Sequence, residues 1–230
     1  RDNGVSTGVF KQYVLCSVDI HSNDVTELGL VNNLSYVSQF FKYSYYDAIY
    51  SPDGKITYSK GDGLYICDSN GKNSHRLINI NGSIILLGWS PDGSLLLSFI
   101  GTGLYIIDRN NGNKILLDDR VDFFTGYDVY FSERYRYRFR SSGWSPDSKK
   151  IAYWSVDHEG DKYNLYISNP DGTGKVKITT AETDEISSPS WSPDGKRIVY
   201  SVEESIYIAN TDGSNIKYLC SGSYPKWSPK

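Results

Sequence analysis

The sequence predicts an all-β chain folded as a β-propeller, with five four-stranded blades expected, or six if a further unit lies outside these 230 residues. Three observations carry this. A turn is copied: Tyr50-Ser51-Pro52-Asp53-Gly54, Trp89-Ser90-Pro91-Asp92-Gly93, Trp144-Ser145-Pro146-Asp147-Ser148 and Trp191-Ser192-Pro193-Asp194-Gly195, with Trp227-Ser228-Pro229 opening it again. Its serines are spaced 39, 55, 47 and 36 residues apart, and a period near ~40 with strand-like content is that of propeller blades. The segments between the copies are apolar or aromatic on both faces, which suits a sheet packed between two neighbours.

Each unit reads the same way after its turn. A strand comes first: Ile56 to Ser59, Leu95 to Ser98, Ile151 to Trp154, Ile198 to Ser201. A second strand follows a short connection: Leu64 to Asp68, Leu104 to Asp108, Leu165 to Asn169, Ile206 to Asn210. Next comes a hairpin with Gly71, Gly112, Gly172 or Gly213, where Asn-Gly and Asp-Gly supply the positive φ of tight turns. A last strand, such as Lys175 to Thr179 or Ile216 to Cys220, closes the unit, and the approach to the next Trp begins the following blade. The first fifty residues fit more loosely: Tyr13 to Asp19 resembles the second strand, Thr26 to Val31 the last, and Gly4 to Phe10 would have to serve as the missing one. The orphan inner strand at Ser223 to Ser228 completes this N-terminal blade and closes the ring, which removes exposed sheet edges. One domain over 1–230 is expected, with blades at about 1–49 plus 220–230, 50–88, 89–143, 144–190 and 191–219.

The copied turn reads as structure, not as a ligand signature. Pro52, Pro91, Pro146 and Pro193 preset φ, and Asp53, Asp92, Asp147 and Asp194 bond nearby backbone N–H groups. Gly54, Gly93 and Gly195 take the positive φ of the reversal. Trp89, Trp144, Trp191 and Trp227 are the large apolar wedges between blades. Catalytic groups are rarely copied in every repeat, whereas structural ones must be.

Trp-Ser-Pro-Asp-Gly-Lys-x-Ile-x-Tyr-Ser, then Ile/Leu-Tyr-Ile, then Asp-Gly and a last apolar strand, resembles the WD-like repeat of the TolB-like β-propellers from Tyr50 onward. Departures are Tyr50 for Trp, Ser148 for Gly and the long insertion before Trp144. The resemblance implies a scaffold for protein contacts outside the cytoplasm: periplasmic, cell-surface or secreted. Related propellers form the non-catalytic gate of prolyl-oligopeptidase-type peptidases and the body of oligogalacturonate lyases.

Composition narrows the functional classes. A net charge of -3 gives no overall footprint for nucleic acid, and no nucleic-acid partner is expected. No apolar run approaches the ~18 residues of a membrane span, so no direct membrane insertion is expected. The chain starts at Arg1 and has no Met, as a processed or trimmed product would. Cys16, Cys67 and Cys220 are odd in number; Cys16 and Cys67 align at equivalent repeat positions, and free, half-buried thiols are expected. No Gly-x-Ser-x-Gly elbow is present, and His21, His75 and His158 fall on opposite rims, unable to share an ion. A non-enzymatic monomer without cofactor or metal is expected.

The unusual sequence lies where the repeat breaks. Repeated turns and Gly hairpins share one rim, and the other rim carries the connections between blades. Two of its loops, Gly61-Asp62-Gly63 and Gly101-Thr102-Gly103, are plain. Asn32 to Tyr50 holds Phe40, Phe41, Tyr43 and Tyr45. Asp118 to Ser142 holds Phe123, Phe124, Tyr127 and Tyr130, then Arg134-Tyr135-Arg136-Tyr137-Arg138-Phe139 in strict alternation, an aromatic face against a cationic one. These fourteen residues are the candidate binding site; an extra hairpin packed over the rim is the competing reading. Tyr and Arg dominate interface hot spots, and Tyr faces also stack on sugars, so protein and glycan partners both stay open. Asp157-His158-Glu159-Gly160-Asp161 reads as a solvated loop.

Overall fold

The computed structural model describes residues 13–18, 25–31, 48–60, 63–80, 84–101, 103–119, 143–156, 162–182, 186–187 and 189–228. All regular structure among them is strand. Three sheets hold four consecutive antiparallel strands each: β3 (Ala48–Tyr50), β4 (Ile56–Lys60), β5 (Gly63–Cys67) and β6 (His75–Asn79); β7 (Ile84–Trp89), β8 (Leu95–Ile100), β9 (Gly103–Asp108) and β10 (Lys114–Asp118); β14 (Ser190–Trp191), β15 (Arg197–Val202), β16 (Ser205–Asn210) and β17 (Lys217–Ser221). Between the last two lies a sheet of β11 (Ile151–Val156), β12 (Tyr163–Ser168) and β13 (Val176–Ala181), with an isolated Trp144–Ile151 bridge where its first strand would pair. These are propeller blades, each starting at its inner strand and running outward.

The N-terminal strands β1 (Tyr13–Val18) and β2 (Val25–Val31) pair only with each other among the described residues. Their register identifies them. The outer strand of every other blade carries a one-residue bulge against its neighbour, at Leu77, Leu117, Ile178 and Leu219. β2 carries the same bulge at Leu28, so β1 and β2 are the third and fourth strands of a blade. The bulge also corrects an alignment: Cys16 sits opposite Glu27 just past it, where Tyr65 sits opposite Arg76, so Cys16 is not the counterpart of Cys67. Cys67 is buried and Cys220 exposed, both as free thiols.

The core lies between blades, not within one sheet. Leu64, Ile66 and Ile78 meet Trp89, Leu96 and Ile107 at the first interface. Leu97, Phe99, Leu104 and Ile106 meet Trp144, Ile151 and Tyr153 at the second. Trp154, Leu165, Ile167 and Ile178 meet Trp191, Ile198 and Tyr200 at the third. Alternate residues of one strand, Leu96 and Leu97 for example, serve two interfaces, which is why these strands are apolar on both faces. Cross-strand pairs Tyr58–Tyr65 and Tyr200–Tyr207 stack at 5.8 and 5.7 Å.

The expected inner strand at Ser223 to Ser228 has its expected partner, Gly4 to Phe10, outside the described residues. Residues 223–228 form no strand among the described residues. Their N–H groups reach back instead: Tyr224 donates to Ser201 Oγ and Trp227 to Ser190 Oγ.

Candidate functional site

The repeated turns form a locked rim. In all four copies the Ser hydroxyl donates to the Asp two residues on, at 2.5–2.7 Å. The same hydroxyl accepts the N–H of the residue entering the next strand: Lys55, Leu95, Lys150 or Arg197. The serines are buried, so this mutual bonding meets their hydrogen-bonding needs without water. The hairpins join the same rim, since Arg109 N–H donates to Ser94 O and Thr211 N–H to Lys196 O. His75 lies exposed on this rim, Nδ1 3.2 Å from Asn73 O.

The first copy departs from the others. It is one residue shorter: Lys55 returns to Ser51 across four residues, where the others span five. In the longer copies the Asp also accepts the N–H two residues on, from Ser94, Lys149 or Lys196. Asp53 instead receives both terminal nitrogens of Arg109 from the next blade, at 3.1 and 2.7 Å. Arg109 lies 5.5 Å over the Trp89 ring. The guanidinium, then the Ser51 hydroxyl, hold the Asp53 carboxyl far below its ordinary value. In Asp92, Asp147 and Asp194 the carboxyl is also lowered, with the serine hydroxyl the leading cause.

The wedge tryptophans stitch blade to blade. Trp89 Nε1 donates to Thr57 Oγ1, Trp144 Nε1 to Gly88 O and Trp191 Nε1 to Gly143 O. Each bond crosses one interface. The tight turn is bonded within itself in all four described copies, and Trp89, Trp144 and Trp191 bond across interfaces, whereas Tyr50 in the first copy is exposed.

The described strands flanking residues 32–47, 120–142 and 157–161 end on the rim opposite the repeated turns, and those three segments lie outside the described residues. All fourteen candidate binding residues, Phe40 to Tyr45 and Phe123 to Phe139, lie outside the described residues, as do His21 and His158. What the structure does describe is the mounting of the second segment. At its start, Asp118 is almost fully buried (side chain 1% exposed) and accepts Lys175 Nζ from the next blade at 2.8 Å. That ammonium also lies 4.0 Å over the Tyr166 ring and 5.3 Å over Tyr153. Burial is the largest influence on the Lys175 pKa and lowers it, but the Asp118 and Tyr153 contacts together outweigh it and the net shift is upward. At the segment's other end, Gly143 O accepts Ala152 N–H at 2.7 Å as well as the Trp191 indole. A Cβ on Gly143 would stand 1.9 Å from Ala152 O, so only glycine fits. Sequence reading missed the Asp118–Lys175 pair; no local signal links residues 57 apart.

Tyr50, at the end of the first segment, is 61% exposed. Lys162, just past the third, pairs with Glu182 at 3.1 Å on the surface. Among the described residues no three His, Cys, Asp or Glu side chains gather as a metal site would require. No described helix is long and apolar enough to cross a membrane.

Comparison with solved structures fixes the fold. TolB from Acinetobacter baumannii superposes with a TM-score of 0.53 at 24% identity, over 96% of this chain and 55% of that one. A TolB candidate from Agrobacterium tumefaciens gives 0.50 at 18% identity, over 92% and 72%. An oligogalacturonate lyase from Vibrio parahaemolyticus gives 0.52 at 12% identity, over 90% and 59%. The chain thus spans little more than half of the Acinetobacter protein. The TolB-like propeller is the shared architecture. No curated protein sequence matches the chain. The family profile described as the dipeptidyl peptidase IV (DPP IV) N-terminal region matches residues 42–165, running from before the first repeated turn into the third blade. With more than half of its length matched, the chain belongs to the dipeptidyl peptidase IV N-terminal region family.

Proposed function

We propose that this chain is a non-enzymatic binding propeller whose partner, a protein, meets the rim opposite the repeated turns. The observation that carries this reading is the mounting of segment 120–142 between a buried ion pair, Asp118–Lys175, and the close-packed Gly143. A segment dense in Tyr, Phe and Arg, held at both ends by rigid blades, is what a recognition loop on a scaffold requires. The TolB-like architecture supports a scaffold role and an extracytoplasmic location, periplasmic, cell-surface or secreted. The test is partner capture from an extracytoplasmic extract, read by quantitative mass spectrometry. Changing Tyr135, Tyr137 and Phe139 to Ala abolishes capture while the strand spectrum and melting midpoint persist. Unchanged capture removes the reading.

A second reading is glycan binding or cleavage by the same aromatic residues. It is favoured by the alternating Tyr135, Tyr137 and Phe139 face, suited to stacking on sugar rings, and by the architecture shared with an oligogalacturonate lyase. A glycan array and an assay for unsaturated sugar products separate the two; silence in both eliminates it. A third reading is a structural propeller domain of a larger surface protein, with which the family match over residues 42–165 accords.

A further inference from the structure

The four described hairpins share one device at their glycine. The side-chain oxygen just before it accepts the N–H two residues on: Asn70 from Lys72, Asn111 from Asn113, Asp171 from Thr173 and Asp212 from Ser214, at 2.8–3.0 Å. The hairpins after β12 and β16 carry Asp there, with a second bond from the Thr173 or Ser214 hydroxyl at 2.6 Å. Those after β5 and β9 carry Asn. The hairpin after β9 is set apart. It is one residue longer: Asp108 N–H reaches Asn113 O five residues on, where Asp68, Asn169 and Asn210 each reach four. Two anchors press it onto the preceding blade. Arg109 holds Asp53, and Gly112 fits so closely that a Cβ on it would stand 2.5 Å from both Leu77 O and Ile78 Cγ2. Asn111 itself is exposed, and Gly112 N–H is tied to Asp108 O at 2.9 Å.

We propose that Asn111–Gly112 is a self-modification site, a spontaneous deamidation whose rate is set by how firmly this hairpin sits on the preceding blade. Gly112 N loses its proton to hydroxide and attacks Asn111 Cγ. The new C–N bond closes a succinimide ring as the Cγ–Nδ2 bond breaks, and ammonia leaves with a proton taken from water. Negative charge gathers on Oδ1 during the attack, where Asn113 N–H already donates at 2.8 Å. Water then opens the ring at either carbonyl. One opening gives Asp; the other gives an isoaspartyl link, which adds a carbon to the main chain. The attack requires Gly112 N–H to leave Asp108 O, so it waits for the hairpin to lift.

The two products differ in consequence. Asp is accepted, since Asp171 and Asp212 hold the same place before their glycines. The Thr173 and Ser214 hydroxyls hold those two carboxyls below their ordinary value, so they stay carboxylates, which a main-chain nitrogen does not attack. Asp is therefore an end state. An isoaspartyl link cannot keep Gly112 in a seat that has no room for one methyl group. It unseats the hairpin from Leu77 and Ile78.

The experiment ages the full chain at mildly alkaline pH, folded and in urea. Asn111 and Asn70 are read peptide by peptide, with fragmentation that separates aspartyl from isoaspartyl. Asn111 is expected to convert at least about tenfold more slowly in the folded chain than in urea. Arg109→Met, which leaves the core untouched, is expected to raise the folded rate about threefold with Asn70 unchanged. Ile78→Ala, checked for an intact melt, raises it further. Equal Asn111 rates folded and in urea overturn the proposal, as does a folded rate that ignores Arg109→Met. Asn111 left intact in every folded form overturns it too. The products are then compared. Asn111→Asp melts within about 1 °C of the parent, whereas the isolated isoaspartyl form melts more than about 5 °C lower. Equal melting of the two overturns the unseating.

Discussion

On the rim of repeated turns the blades repeat one solution: a buried Ser, a bonded Asp and a glycine hairpin, with a wedge tryptophan in three of the four described copies. Between the strand ends of the opposite rim the connecting sequences diverge in length, from the two residues between β4 and β5 to segments 32–47 and 120–142, all outside the described residues. The first rim has little left to offer a ligand, because its polar groups already bond one another. The difference teaches where selection for packing ends. Under the proposed function, repeated residues hold blades in place and binding falls to the connections.

The comparison breaks most severely at Gly143, where the two rims' demands meet. Gly143→Ala drives a Cβ into the Ala152 carbonyl, backbone against backbone, and is expected to cost roughly 3 kcal/mol or more in chemical denaturation. A loss under about 1 kcal/mol means that the mounting of segment 120–142 is not rigid. Gly112→Ala tests the turn rim in the same way, since its Cβ would meet Leu77 O at 2.5 Å in a left-handed backbone.

Next in size is the indole stitching. Trp191→Phe removes a donor and leaves Gly143 O one bond short, an expected loss of about 1–2 kcal/mol. Trp227→Phe removes an N–H that has no partner and should be neutral or slightly stabilising. Equal losses at the two sites would contradict the wedge account.

The smallest effect on the turn rim concerns charge. Asp53 is half exposed, so its pair with Arg109 is expected to contribute only about 0.5–1 kcal/mol at neutral pH. Its carboxyl is held below the ordinary 3.8, so this stability is fully present above that value and is lost as pH falls through the folded value. Asp53→Asn should therefore differ from the parent at pH 7 and converge with it toward pH 2, measured by urea midpoints. A gap that widens on acidification would reverse the sign and refute the assignment.

Much of the first rim was legible in the sequence, because turn chemistry and alternation are local. Pro, Asp and Gly at fixed spacing name the turn, and Tyr and Ile on alternating positions name strands that face two neighbours. The rest depends on residues distant in sequence. The shortened loop at Asp53 is visible in the spacing, but its partner Arg109 is 56 residues away. The shared bulge at Leu28, Leu77, Leu117, Ile178 and Leu219 is a matter of register, which alternation alone does not set. The candidate aromatic and arginine residues were named from departures in the repeat, and their side chains lie outside the described residues.

The central claim is that binding belongs to the divergent rim. It is tested most directly by measuring partner capture for two variants side by side, Tyr135→Ala/Tyr137→Ala/Phe139→Ala on the divergent rim and Asp53→Asn/Arg109→Met on the turn rim, each checked for an intact melt. The account predicts that the first loses capture and the second keeps it; retention by the first, or loss by the second alone, would contradict it.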